Sequence, residues 1–330
     1  MHQFFPDKVR TTLIFYEGQN MRKQEVVVPV VFALHDSTGN YWLNTAVALC
    51  SVAMHSSVQV QFFVMHDDTL TNQAKHRLTE ICRKFNCTLN LMKVKVPDRM
   101  NVNNFGKFSV ASIFRLLIPQ AFKSFNQVVY LDSDLVFNGL DIATLISGSA
   151  KSDKPLAGVV DPYIAIPKSQ QLELSKLGLD PAVYINSGVL VIRPSLMPEN
   201  LLEEFEKFQK IYGSTIHPDQ DFLNVVCKGN INHLIDSFNF QACLMNNSLF
   251  KDLDHYQKKI IHYAGSLKPL DGTFAPGFLP FWMHAALIPE IALKISKKNE
   301  FRYAFPAIED PHSMVRKILK PQPKVLKVAN

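Results

Sequence analysis

QVVYLDSDLVF, residues 127–137, is an apolar run that meets two aspartates, Asp132 and Asp134, with Ser133 between them. Its β-branched and aromatic residues show no polar alternation, which places the strand inside a parallel sheet covered on both faces. Ligands of open α/β sheets sit outside the carboxyl ends of such strands. Two carboxylates therefore stand where a ligand belongs. Oxygen donors at i and i+2 of a tight turn can converge on one divalent cation, and Mg²⁺ or Mn²⁺ commonly bridges protein carboxylates and substrate phosphates. A solvated acidic turn is the competing reading of an isolated D-x-D, so the ends of the other strands decide between the two.

VVFAL at 30–34 reads as the first core strand, with Pro29 at its start, where no ladder N–H is needed. A polar turn from His35 to Asn40 follows, and then the apolar helix YWLNTAVALCSVAMHS. VQVQFFVM at 58–65, a helix over 69–85 and TLNLMKV at 88–94 continue the alternation, which implies parallel βαβ units with right-handed crossovers. The chain contains neither G-x-G-x-x-G after the first strand nor G-x-x-x-x-G-K-[ST]. A nucleotide bound here must have its phosphates held by metal and side chains. Residues 97–108 form a polar loop, and SVASIFRLLIP reads as a short helix stopped by Pro119. Arg115 is the one charge on that helix and either snorkels to the surface or points into a site for anions.

LAGVV at 156–160 is a further buried strand, and it too ends in an acid, Asp161. SGVLVIRP at 187–194 is preceded by Asn186 and covered by an amphipathic helix over 198–212. HPDQDFLNVVC then sets Asp219, Gln220 and Asp221 in the first turn of a helix, where carboxylates suit the dipole. Capping alone explains Asp219 but not Gln220. In IIHYAGSLKP, 260–269, His262 leaves an apolar run, Gly265 allows close backbone approach, and Pro269 keeps Lys268 out of a helix. Taken singly, such a histidine and lysine are structural and solvated residues. Together, H-x-x-G-x-x-K-P reads as a clamp on a metal-bound diphosphate.

At 330 residues, 47% hydrophobic, the chain can bury a large core, and no apolar run approaches the length of a membrane span. The N-terminal MHQFFPDKVR lacks a signal-peptide core, which sets the expectation of a cytoplasmic protein. Five cysteines without a C-x-x-C (Cys50, Cys82, Cys87, Cys227 and Cys243) read as reduced core residues. The net charge of +6 is concentrated in residues 291–330, with nine Lys/Arg against three acids, leaving 26 of each sign before them. A neutral body with a basic tail argues against nucleic acid and for one local anionic partner. From Pro311 the tail interleaves Arg316, Lys317, Lys320, Lys324 and Lys327 with apolar residues, which suits an anionic membrane surface. A disordered basic terminus without a partner fits the same residues equally well.

These pieces together resemble glycosyltransferase family 8, in particular its bacterial lipopolysaccharide galactosyl- and glucosyltransferases, over about residues 28–270. VFALHD…NY, YLDSD, INSGVLVI with HPDQDFLN downstream, and HYAGSLKP carry the likeness in that order. The resemblance implies a GT-A fold in residues 28–284, an α/β, Rossmann-like, mostly parallel sheet flanked by helices. Residues 1–27 are then an N-terminal extension, and 285–330 a small, helical, basic C-terminal appendage. It implies transfer of galactose or glucose from a UDP-sugar to a hydroxyl of a saccharide acceptor, lipopolysaccharide or another glycan, with retention at the anomeric carbon. The lipid-linked acceptor and the basic tail together suggest a peripheral position on the inner face of the cytoplasmic membrane.

Residue by residue, the resemblance implies Asp132, Asp134 and His262 as ligands of Mn²⁺, with Mg²⁺ as a substitute. Gly265 and Lys268 match diphosphate contacts, and Ser133 falls within the same cofactor-binding turn. Arg115, Asp161, Asn186, Asp219 and Gln220 match positions around the donor sugar, Gln220 nearest the anomeric carbon. Ala33 and the loop through His35 to Asn40 match the uracil and ribose contacts. His35 stands where the family usually has an acid or another small polar residue, and Leu270 where it usually has tryptophan. These two departures support an alternative, a family member turned sugar-nucleotide or glycan-binding protein, which the complete metal set opposes. A dinucleotide oxidoreductase is disfavoured by the missing glycine fingerprint.

Overall fold

The structure, a computed structural model, describes residues 27–96, 109–150, 152–164, 166–242, 256–265, 268–271 and 278–291. The expected loop at 97–108, Cys243, residues 272–277 and the basic tail from residue 292 lie outside these residues. So does the N-terminal extension up to residue 26.

The expected alternation is present in β1 (Val27–Leu34), α1 (Trp42–His55), β2 (Gln59–His66), α2 (Asn72–Lys84) and β3 (Thr88–Lys93). A 3₁₀ stretch, Val110–Leu117, and a short α3, Ile118–Ala121, precede β4 (Val128–Leu131) and β5 (Leu135–Asn138). Then come α4 (Ile142–Ala150), β6 (Leu156–Val160), α5 (Lys168–Lys176), β7 (Ile185–Ile192), α6 (Leu201–Tyr212) and α7 (Pro218–Val226). The remaining elements are β8 (Ile231–Leu234), β9 (Phe240–Gln241), β10 (Lys259–His262) and α8 (Leu279–Ala285). Seven strands form one sheet in the order β3-β2-β1-β4-β7-β6-β8, and β5-β10-β9 form a second, small one.

Three details differ from the sequence reading. The large sheet is mixed, because β7 runs antiparallel to both of its neighbours, β4 and β6. Pro29 is the third residue of β1 and pairs with Gln61; β4 begins to pair only at Val30, so its side of the ladder loses nothing to the missing N–H. Pro119 does not stop a helix. It sits in the first turn of α3, where its missing N–H would have had no partner, and the residues before it are 3₁₀.

Side chains of β1 alternate between the two faces of the sheet. Val30, Phe32 and Leu34 join a core with α1, α2, α4, α8 and the small sheet, while Val31 and Ala33 join one with the 3₁₀ stretch, α6 and α7. α1 is apolar on nearly every side and accordingly buried along most of its length. Its N-terminus is held from the β1–α1 turn, where Asp36 Oδ1 accepts from the N–H groups of Tyr41 (2.6 Å) and Trp42 (3.3 Å). Among the described residues no helix is long and apolar enough to cross a membrane. The core continues past residue 284, the expected domain end: Ala285, Ile288 and Ile291 are buried, and Glu290 pairs with Arg77 of α2 at 2.5 Å.

α8 docks on α1 through two histidines, His55 Nε2 and His284 Nε2, 3.2 Å apart. His284 Nδ1 donates to the Pro280 carbonyl at 2.7 Å, so its Nε2 accepts and His55 donates. Burial holds His284 neutral and lowers its pKa from 6.5 to about 4. Between those values the unfolded chain binds more protons, so this contribution is complete above the unfolded pKa and is lost as pH falls towards the folded one. It amounts to about 3 kcal/mol. Denaturant unfolding of wild type at pH 5 and 8 should therefore show greater stability at pH 8. His284→Leu should narrow that gap, and an unchanged gap would show that the ring is not held neutral.

Candidate active site

Strand direction assembles the site. Since β7 runs against β4, with Leu131 opposite Val189, the start of β7 lies beside the end of β4, and Asp132 N donates to the Gly188 carbonyl at 2.8 Å. β10 likewise runs against β5 with His262 opposite Leu135, which brings His262 to the Asp134 turn. At the far side of β7 the register against β6 slips, from Gly158 opposite Leu190 to Val160 opposite Ile185. The irregularity swells β7 at residues 186–189, and such a bulge re-aims side chains towards a site.

Asp132, Asp134 and His262 each offer one ligand atom, all within 4.8 Å of one another. His262 Nε2 lies 3.4 Å from Asp134 Oδ1 and 3.8 Å from Asp132 Oδ2. Its Nδ1 faces Asn239 Oδ1 at 2.9 Å. With Nδ1 donating there, Nε2 turns a lone pair towards two carboxylates, and the three acceptors suit a cation between them. Two carboxylates and an imidazole suit a divalent cation, and the nitrogen donor sets the cluster apart from an all-oxygen site. Lys268 Nζ pairs with Asp134 Oδ2 and donates to the Tyr263 carbonyl at 2.7 Å. Burial alone would raise the Asp134 pKa, but the Lys268 ammonium beside it holds it well below the usual carboxylate range.

Arg115 points inward rather than to the surface. Its Nη2 donates to Asp132 Oδ1 at 2.9 Å and its Nη1 to the Ser187 carbonyl at 2.6 Å, with Asp219 Oδ2 3.3 Å from Nη1. The guanidinium also lies over the Tyr130 ring, 4.5 Å from its centre, and the Tyr130 hydroxyl donates to Asp132 Oδ1 at 2.7 Å. Burial opposes the charge on Arg115, and Asp132 and Asp219 restore it. Burial pushes the Asp219 carboxyl above its usual range, so Asp219 is a buried partner of Arg115 and of the Ser187 hydroxyl (3.2 Å), not a helix cap. Asp221 takes the capping role, accepting from His217 N–H at 2.9 Å.

Gln220 is fixed at both ends of its amide: Oε1 accepts from Ser187 N–H at 2.9 Å, and Nε2 donates to Asp161 Oδ2 at 3.0 Å. Asp161 Oδ2 also accepts from Asn186 Nδ2 at 3.1 Å, and Oδ1 from Tyr163 N–H at 2.9 Å. Asn186 is inside β7, not ahead of it. The metal-ligating cluster, Lys268, Arg115, Asp161, Asn186, Asp219 and Gln220 therefore belong to one connected arrangement. Ala33 is buried at the end of β1, and its carbonyl accepts from Ser133 Oγ at 3.5 Å. That hydroxyl also accepts from Thr45 at 2.8 Å, so the Ser133 side chain is spent inside the fold. His35 is tied by Nδ1 to Asp67 at 2.5 Å, and exposed Asn40 donates to the Thr38 carbonyl at 3.3 Å. Gly265 has φ of 94°, open to glycine at little cost, and Leu270 packs on the main core.

Sequence reading gave no role to Tyr130, Ser187, Gly188 or Asn239. Only Gly188 carried a signal, since glycine inside a strand marks close approach. A Cβ there would overlap the His262 ring, reaching 2.8 Å from Nδ1 and 2.9 Å from Asp132 Oδ2. Gly188→Ala should therefore displace two of the three ligands and destabilise the fold by about 1–3 kcal/mol. Calorimetric Mn²⁺ titration and thermal unfolding would check this, and wild-type metal affinity in the variant would contradict the described packing.

The family model for glycosyl transferase family 8 matches residues 31–271. A lipopolysaccharide 1,2-glucosyltransferase of Escherichia coli (strain K12) is 24% identical over 246 residues, 70% of each chain. Among solved structures, the galactosyltransferase LgtC in complex with donor and acceptor sugar analogues superposes with a TM-score of 0.64 at 20% identity, over 84% of this chain and 100% of that one. The bifunctional glycosyltransferase WbbM gives 0.61 at 21% identity over 84% of this chain, which spans 53% of WbbM. These neighbours share the mixed sheet flanked by helices, so the chain has the expected GT-A fold. With the family model covering most of its length, the chain belongs to glycosyl transferase family 8.

Proposed function

We propose that this glycosyltransferase moves a hexose, galactose or glucose, from a UDP-sugar to a hydroxyl of a saccharide acceptor, with a divalent cation and with retention. Lipopolysaccharide or another glycan is the proposed acceptor, in keeping with the glucosyltransferase relative. The observation that carries the reading is the convergence of Asp132, Asp134 and His262 beside the buried group formed by Arg115, Asp161, Asn186, Asp219 and Gln220. Ala33, His35 and Asn40 are assigned to the nucleoside, Gly265 and Lys268 to its diphosphate, on the strength of the motifs that contain them.

Asp132, Asp134 and His262 would hold a Mn²⁺, which when bound would supply Lewis-acid stabilisation of negative charge on the diphosphate. The Lys268 ammonium adds a second positive charge on the same side. On the sugar side the candidates for a covalent intermediate are poor. Gln220 is an amide with both ends engaged, and Asp161 already accepts three hydrogen bonds. A carboxylate with its lone pairs so occupied is a weak nucleophile. Same-face attack assisted by the leaving phosphate is therefore favoured, with Asp161 as the covalent alternative. In either case Asp161, Asp219 and Gln220 place negative charge and oriented dipoles near a developing sugar cation.

A panel of UDP-hexoses assayed for UDP release tests the reading. Turnover should require Mn²⁺, be partly restored by Mg²⁺, vanish with EDTA, and fall on the order of 10²-fold in Asp134→Asn. Undiminished turnover of that variant in EDTA would exclude the metal role.

Gln220→Ala separates the sugar from the nucleotide. It should lower kcat by roughly 10–100-fold while UDP affinity stays near wild type, whereas Lys268→Ala should weaken both. Loss of UDP binding with kcat retained would make Gln220 part of the nucleotide pocket instead.

A further inference from the structure

Two side-chain amides stand between the metal-ligating cluster and Asp161, and the group at each end of the pair fixes their direction. Asn186 Oδ1 accepts from the Gly188 backbone N–H at 2.9 Å, and a backbone N–H can only donate. Asn186 Nδ2 donates to Asp161 Oδ2 at 3.1 Å, and a carboxylate can only accept. With Asn186 so oriented, its Oδ1 also accepts from Asn239 Nδ2 at 2.8 Å. Asn239 is then left with Oδ1, an acceptor, to face His262 Nδ1 at 2.9 Å. The ring must put its proton on Nδ1. A neutral imidazole has one such proton, so Nε2 presents a lone pair to the space it shares with Asp132 and Asp134.

We infer that Asn239 and Asn186 are positioning residues that set the tautomer of His262, so that in the neutral ring the proton sits on Nδ1 and the metal-facing Nε2 is the nitrogen left to ligate. The direction is imposed from the sugar-side acid and the β7 backbone, three hydrogen bonds away from the ring. Asn239, Asn186, Asp161 and His262 are 2%, 8%, 6% and 3% exposed, so bulk water is no alternative partner for either amide. Turning Asn186 over would set donor against donor at Gly188, and turning Asn239 over would set acceptor against acceptor at Asn186 Oδ1. The inference rests on reading Asp132, Asp134 and His262 as a cation site and adds which residues make the imidazole a ligand. Such outer partners of ligating histidines orient the ring and fix its tautomer.

The test is ring-nitrogen NMR of the full-length, metal-free protein at about pH 8, above the ordinary histidine range. His262 is assigned by difference from His262→Gln, and Mn²⁺ affinity is titrated in parallel by electron paramagnetic resonance. Wild type should show the Nδ1–H form. Asn239→Leu should bring in the Nε2–H form and weaken Mn²⁺ binding by about 10–100-fold. Asn186→Leu, which leaves His262 untouched, should free the Asn239 amide and give a mixture of tautomers. Asn239→Asp keeps an acceptor at the same place and should keep Nδ1–H. Nε2–H in wild type or in Asn239→Asp overturns the inference even if the leucine variants fail to fold, as does Nδ1–H persisting in both leucine variants. If the tautomers follow this pattern but wild type binds no Mn²⁺, the cation reading fails and tautomer control stands.

Discussion

The site depends on one buried cation. Arg115 carries a full charge in an interior that also holds Asp134, Asp161, Asp219 and Asp221, with half-buried Asp132 at its edge, and burying carboxylates without compensation is prohibitive. Its planar fork reaches β4 through Asp132, the swollen start of β7 through the Ser187 carbonyl, and α7 through Asp219, while its face rests on Tyr130. A lysine could make one of these contacts but neither the fork nor the stack. Removing one partner from such a buried pair costs about 3–5 kcal/mol, because the other is left uncompensated. Arg115, the one charge on an otherwise apolar segment, thus ties β4, β7 and α7 together at the site.

Topology explains why the polar residues gather at one edge. In a fully parallel sheet only carboxyl ends would collect there, and the start of β7, with Asn186, Ser187 and Gly188, would lie at the opposite edge. The reversal of β7 between β4 and β6 brings those residues to the ends of both neighbours. Three strand ends and one strand start then supply groups to a single volume. Gly188 permits the close contact between backbone and imidazole that this crowding demands.

Much of this was legible in the sequence because it is written in local pattern. Strand and helix periodicity gave the alternation through β3, and the acids after β4 and β6 gave the edge at which ligands belong. The ordered motifs gave the family. What was not legible depends on partners remote in the chain. Asn239 stands in no motif, and its bond to His262 exists because β9, which it precedes, lies beside β10 in the small sheet. Ser133 lies between two candidate ligands, yet its hydroxyl serves α1 through Thr45, which no spacing shows. Arg115 offered two readings, of which the surface one is the commoner for such a residue, and tertiary packing chooses the other. The 3₁₀ conformation before Pro119 likewise reflects what the segment must fit, since the residues are equally compatible with an α-helix.

The two sheets divide the ligand set between them. Asp132 follows β4 of the seven-stranded sheet, whereas His262 ends β10 of the three-stranded one, and Asp134 opens into β5 beside it. A cation shared by these side chains would act as a rivet across a seam, and its binding free energy would add to the cohesion of the smaller sheet. The smaller sheet gains most, since its paired runs are short: four residues in β5 and β10 and two in β9. Occupancy would thus be felt as amide-exchange protection along β5 and β10 well before it altered global unfolding, and the same segments would breathe first when the cation leaves.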